Sequence, residues 1–155
     1  MYFILIFFIY ICAIQQCYSA NMVKKSTIES IIREDMADMW ALLNPDEKRI
    51  ITDNFHIQTF KKNEMIYSEG EKATQLMCLI KGKVKIFKEG VGGRSQIIRL
   101  IRPVQYFGYR AYFAGENYVT AASAFETATI GFLPMNIIET QIRKNNQLAY
   151  FFIKE

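Results

Sequence analysis

Between residues 54 and 134 the chain is written as short runs split by turn-forming residues at fairly even spacing, and that rhythm leaves room for little except an all-β unit. His56–Phe60 is followed by the turn Lys61-Lys62-Asn63-Glu64, Met65–Ser68 by Glu69-Gly70-Glu71, and Leu76–Ile80 by Lys81-Gly82. Lys83–Lys88 alternates polar and apolar residues, with Val84 and Ile86 on one side. Three glycines in the four residues from Gly90 to Gly93 mark a flexible hairpin tip, because glycine cannot hold an extended pair. Ser95–Ile101 returns, and Arg102-Pro103 turns, since proline donates nothing to a central ladder. Two more strands, about Thr120–Glu126 and Thr129–Leu133, close the unit. The expected fold is mainly β with flanking helices: an antiparallel, jelly-roll-like β-roll over 55–134.

Helical patterning brackets this unit. Ile28, Ile31, Ile32, Met36, Met39, Trp40 and Leu43 recur at three- and four-residue spacing, as one apolar helix face requires. Asn44-Pro45-Asp46-Glu47 reads as a second helix start, with a cap, a proline in the first turn and acids at the positive end. These N-terminal helices are assigned to 22–54. After Pro134 a helical stretch, Ile137–Glu155, carries Ile138, Ile142, Leu148, Phe151 and Phe152 on its apolar face.

Residues 1–21 are a different material, with no charged side chain. The apolar run Tyr2 to Ile14 falls short of the ~20 residues a membrane span needs. It resembles the core of a signal peptide, and Tyr18-Ser19-Ala20 resembles a cleavage site, but the usual basic flank is missing. Met22-Val23-Lys24-Lys25-Ser26 reads as an ordinary cytoplasmic start. The segment is therefore either a leader or a spurious extension, and the expectation is the second: a cytoplasmic protein with no membrane contact unless 1–21 are genuine.

Composition excludes more than it selects. A net charge of +4 with basic residues in runs no longer than two describes a solvated surface rather than a nucleic-acid patch. Cys12, Cys17 and Cys78 are too few for an iron–sulfur centre or a four-ligand zinc site, and their odd number does not suit a disulfide framework. His56, the one histidine, cannot build the several-histidine site of a metal-dependent β-barrel enzyme and is a poor candidate for a haem ligand. No nucleophile–base motif stands out. An enzyme is not expected, nor is any metal or cofactor.

The strand rhythm breaks at Gln105–Asn117, an aromatic stretch with Gly108 at its entry and Gly115 at its exit. A short helix inserted there would present free backbone N–H groups, a means of holding phosphate without special side chains. A ligand site, if the chain has one, belongs here: Phe107, Gly108, Tyr109, Arg110 and Ala111, with Val119, Thr120 and Ala121 across from them.

Several segments resemble the sensor domain of the Crp–Fnr family of bacterial transcription regulators. They are Phe60-Lys61-Lys62 through Ile66-Tyr67 to Glu69-Gly70-Glu71; Leu79-Ile80-Lys81-Gly82-Lys83-Val84-Lys85-Ile86-Phe87; Ile97-Ile98-Arg99-Leu100-Ile101-Arg102-Pro103 running to Phe107-Gly108; and Ala121-Ala122-Ser123-Ala124 followed by Thr129-Ile130-Gly131-Phe132-Leu133-Pro134. They occur in order and cover about 40–155. The resemblance implies a cyclic-nucleotide-binding β-roll, a long dimerisation helix begun by 135–155, and a winged helix-turn-helix that residues 1–155 do not include. DNA would be reached only through that further domain, and a homodimer through the helix after Pro134.

Two departures bear on the ligand. Relatives that bind cyclic AMP carry a glutamate after the glycine matching Gly108, where this chain has Tyr109, and an arginine before the residue matching Thr120, where it has Val119. Losing the charge-assisted phosphate contact is worth on the order of 1.5–3 kcal/mol. Arg110 is the nearby cation and the candidate substitute. The reading is a regulator's sensor domain that answers to another small molecule, or to none, rather than to cyclic AMP. The alternative is a stand-alone module of the same fold that regulates a partner protein.

Overall fold

The computed structural model describes residues 25–90, 92 and 94–155; the leader-or-extension question at 1–21, and Val91 and Gly93 of the hairpin tip, lie outside that range. Helix α1 occupies residues 25–35. It is followed by α2 (Ala37–Ala41), α3 (Pro45–Asn54), β1 (His56–Phe60), β2 (Met65–Tyr67), β3 (Gln75–Lys81), β4 (Val84–Glu89), β5 (Ser95–Ile101), β6 (Tyr106–Phe107), α4 (Arg110–Ala114), β7 (Ala121–Ala124), β8 (Ala128–Pro134), α5 (Met135–Ile142) and α6 (Asn146–Lys154). The strands form two antiparallel four-stranded sheets, ordered β1-β8-β3-β6 and β2-β7-β4-β5.

Alternation along the strands sorts their side chains between two cores. Met77 and Leu79 of β3, with Ile130 and Phe132 of β8, join Phe60, Val84 and Ile101 in the core of the roll. Their neighbours Leu76, Cys78 and Leu133 join Met36, Trp40, Ile51, Ile138 and Leu148 under the helices. A strand buried on both faces needs a continuous apolar run, which Leu76–Ile80 supplies. Gly131 is the place where Phe55 rests on β8; a Cβ there would lie 2.1 Å from the Phe55 Cζ.

The stretch after Pro134 differs from the single helix its pattern suggests. It is two helices, α5 and α6, broken at residues 143–145. Asn145 leaves the helical conformation and its side-chain oxygen accepts from the Gln147 and Leu148 amides, both at 3.1 Å. Its amide nitrogen donates to the Leu42 carbonyl (2.9 Å) and to Glu47 Oε2 (3.0 Å). The buried Glu47 carboxylate also completes a capping box with Asn44 at the start of α3. One asparagine thus caps α6 and ties it to the N-terminal helices.

The aromatic stretch holds both β6 and α4, and Tyr112 of α4 donates from its hydroxyl to Glu139 Oε2 of α5 at 2.6 Å. That bond, and then the Arg143 guanidinium, hold the Glu139 carboxyl below its ordinary value. A carboxyl lowered on folding contributes stability above its unfolded pKa and loses it as pH falls through the folded one.

Asn145→Ala is expected to lower unfolding free energy by roughly 2–4 kcal/mol, because it removes a cap and strips a buried carboxylate of a donor; urea unfolding measures this. Gly131→Ala should cost about 1–3 kcal/mol by overpacking against Phe55, read as a lower midpoint at unchanged slope. Tyr112→Phe should melt below the parent protein at neutral pH, with the difference shrinking as pH falls below about 4, the ordinary carboxylate value; a gap that widens in acid would contradict the assignment.

Candidate functional site

Gly108 fixes the geometry of the site. Its φ of +83° is a left-handed conformation, and an added Cβ would lie 2.3 Å from Met77 Cε and 3.2 Å from both the Gln75 carbonyl and the Tyr118 hydroxyl. Glycine lets the chain leave β6 pressed against β3 and start α4 at once. The Gly108 carbonyl accepts a hydrogen bond from the Tyr118 hydroxyl at 3.1 Å, which ties the entry of the insertion to its exit.

A cavity of about 230 Å³ opens between this insertion and the β4–β5 hairpin. Its floor is a stacked pair, Tyr67 on Tyr118, with ring centroids 3.9 Å apart and planes 20° from parallel. Burial pushes both hydroxyls up; a hydrogen bond to Thr120 partly offsets this at Tyr67, and the neighbouring Tyr67 and Glu71 add to it at Tyr118. Both tyrosines are therefore neutral at physiological pH. Ile86, Ile98 and Arg99 form the opposite wall.

The residues singled out from the sequence divide in the structure. Phe107, Gly108, Tyr109, Arg110, Ala111, Val119 and Thr120 line the cavity. Ala121 does not: it lies buried in β7, paired with Phe87. Tyr109 is only 4% exposed and belongs to the helical core, its ring 5.5 Å from Phe152 and edge-on to Phe113 at 6.5 Å. Val119 is 60% exposed and puts no charge at the mouth. The Arg110 guanidinium sits 5.9 Å over the Tyr109 ring. The short helix α4 does begin at the cavity, but its five residues sum few peptide dipoles.

Tyr67, Tyr118, Ile86, Ile98 and Arg99 were missed by reading the aromatic stretch alone. They come from β2, β4, β5 and the turn before β7, and only the fold brings them to one place. Arg99 carries no signal of its own, because the face it takes is set by its pairing with Ile86, a feature of register rather than of sequence.

Behind the cavity wall runs an aromatic seam. Tyr106 packs edge-on to Phe151 and Phe152, at 5.5 and 6.1 Å. Its buried hydroxyl has no hydrogen-bond partner among the described residues, and burial pushes it far above its ordinary value. Cys78, paired with Tyr106 across β3 and β6, is buried too; desolvation, then the charges of Asp35 and Glu155, push its thiol up to about 12. Such a thiol is inert at neutral pH.

Comparison with known proteins places this architecture. The sensor domain of the transcriptional regulator DNR from Pseudomonas aeruginosa superimposes with a TM-score of 0.72 at 18% identity, over 84% of this chain and 86% of that one. An uncharacterized protein of Haemophilus influenzae is 32% identical over 73 residues, 47% of this chain and 57% of the relative. A cGMP-dependent protein kinase of Toxoplasma gondii is 36% identical over 70 residues, 45% of this chain and 6% of the kinase. The chain thus spans little more than half of the one curated relative and a small part of the other. The cyclic nucleotide-binding domain family matches residues 57–145, from β1 through the cavity to the end of α5. With the match covering more than half of its length and the fold in agreement, the chain belongs to the cyclic nucleotide-binding domain family.

Proposed function

We propose that this chain is the sensor domain of a Crp–Fnr-type DNA-binding transcription regulator whose effector is not cyclic AMP. The observation that carries the second half is the state of the two ligand positions. Tyr109 is built into the helical core and Val119 is an exposed aliphatic side chain, so neither the ribose nor the cyclic phosphate meets the charged partner that cyclic AMP receptors supply. Arg110, the substitute suggested by sequence, has its guanidinium over the Tyr109 ring.

Likeness to the DNR sensor domain supports the first half. The domain's role is sensing, not catalysis. Its output runs through contacts between the cavity wall and the C-terminal helices: Tyr106 and Tyr109 on Phe151 and Phe152, and Tyr112 to Glu139. A ligand that prefers one position of the β6–α4 wall would bias α5 and α6 with it, a two-state shift driven by differential affinity. Tyr150 and Ile153 are exposed on α6 and would pack against a second copy, which makes a homodimer. DNA would be contacted by a winged helix-turn-helix following residue 155, and the cytoplasm is the compartment where that target lies. Among the described residues no helix is long and apolar enough to cross a membrane.

The likeness to a cGMP-dependent protein kinase favours a second reading, a module of this fold that regulates a partner protein. The reading frame beyond codon 155 separates the two: a helix-turn-helix pattern supports the regulator, an immediate stop the stand-alone module. Calorimetric titration with cyclic AMP and cyclic GMP should show no micromolar binding, and micromolar binding of either would overturn the proposed exclusion. Val119→Arg should raise affinity for a cyclic nucleotide by about tenfold to a hundredfold with little change in melting temperature, since the position is exposed. Tyr109→Glu should instead destabilise the fold, because it buries a carboxylate among phenylalanine rings.

A further inference from the structure

The register of the β4–β5 hairpin holds information about the ligand. Ile86 pairs with Arg99 and Phe87 with Ile97, so Ile98 is an extra residue with no partner: a β-bulge. In a regular strand two consecutive residues face opposite ways. The regular pairing of Val84 with Ile101 and of Ile86 with Arg99 puts Arg99 on the same face as the buried Ile101, and the bulge adds Ile98 to that cavity wall. Bulges commonly re-aim a side chain next to a site, and this one sets Ile98 beside Arg99.

Arg99 lines the cavity and makes no hydrogen bond or ion pair among the described residues, whereas the Arg110 guanidinium lies over the Tyr109 ring. The other polar side chains there are satisfied by the protein itself: Tyr118 by the Gly108 carbonyl, and Tyr67 and Thr120 by each other. A ribose or a purine edge would find its would-be partners already engaged. What the cavity still offers is apolar and aromatic surface and one free cation.

We propose that the cavity binds a small aromatic monocarboxylate, its carboxylate on Arg99 and its ring among Ile86, Ile98, Val119 and the Tyr67–Tyr118 stack. The inference rests on the reading of this cavity as an effector pocket, and it names the effector's class. Size supports it: about 230 Å³ lies below the roughly 300–1,000 Å³ of ordinary ligand pockets. Charge supports it as well. One guanidinium matches one carboxylate in a bidentate pair, while inorganic phosphate or a phosphate monoester would carry a second, uncompensated charge into an apolar site; a cyclic phosphodiester is a monoanion as well and is set apart by its size.

The test is titration of the chain with benzoate, phenylacetate and cinnamate, against neutral benzamide and inorganic phosphate, followed by calorimetry and by nuclear magnetic resonance. At least one carboxylate should bind about tenfold to a hundredfold more tightly than benzamide, with phosphate weaker still. Arg99→Gln should erase the preference without moving the melting temperature, and Arg99→Lys should keep part of it. Failure of all three carboxylates at millimolar concentration, equal binding of benzamide, or an Arg99→Gln variant that still prefers the carboxylate would each overturn the proposal. Cyclic nucleotides run in parallel separate the two claims. Micromolar cyclic AMP binding sinks the exclusion of cyclic nucleotides and this inference together, whereas silence from both ligand types sinks only the aromatic carboxylate.

Discussion

Everything in this domain hangs on the antiparallel pairing of β3 with β8, where Leu76 meets Leu133, Cys78 meets Gly131 and Leu79 meets Ile130. Both strands are apolar on both faces, so one pairing serves the core of the roll and the core beneath the helices. Burying a medium apolar side chain is worth about 1.5–3 kcal/mol, and this ladder gathers several of them on either side. It also sets position: β6 joins the free edge of β3, and the cavity wall begins where β6 ends. The reach of the second core to the cavity follows from the same arrangement, since Tyr106 faces the helices while Phe107, one residue on, faces the roll.

That arrangement makes the cavity wall and the C-terminal helices parts of one packed body. Four aromatic rings and the Tyr112–Glu139 bond connect them. Packed aromatic seams do not deform continuously, so a small displacement at the wall is resolved by a shift of whole elements. The unpartnered Tyr106 hydroxyl sits in this seam. A buried donor without an acceptor is costly, and its presence between wall and helix suits an element that has a second arrangement available.

The frame was largely legible in the sequence. Strand β1 and strand β5 fall on the runs that the neighbouring turn residues mark off, and Asn44-Pro45-Asp46-Glu47 starts α3 with the capping box its residue types allow. These features are local: a cap, a turn or a period is decided by residues within one or two turns of each other. The helix after Pro134 was misread as one element for the complementary reason. Arg143-Lys144-Asn145 carries no glycine or proline, and the break exists because Asn145 finds Leu42 and Glu47 about a hundred positions away. The two-residue β6 was likewise hidden, because two residues carry no period.

By itself the sequence determined the β-roll with its flanking helices, the insertion after Gly108 and the absence of the two charged residues that a cyclic AMP receptor uses. Only the tertiary structure decided where the neighbouring side chains point. It turned Tyr109 into the helical core, placed Arg99 on the cavity wall through its register with Ile86, and by one unpaired residue added Ile98 beside it. The physical reason is that strand pairing and burial are contracts between distant segments. A sequence shows which residues can fill a face, whereas the register between two strands decides which face they fill.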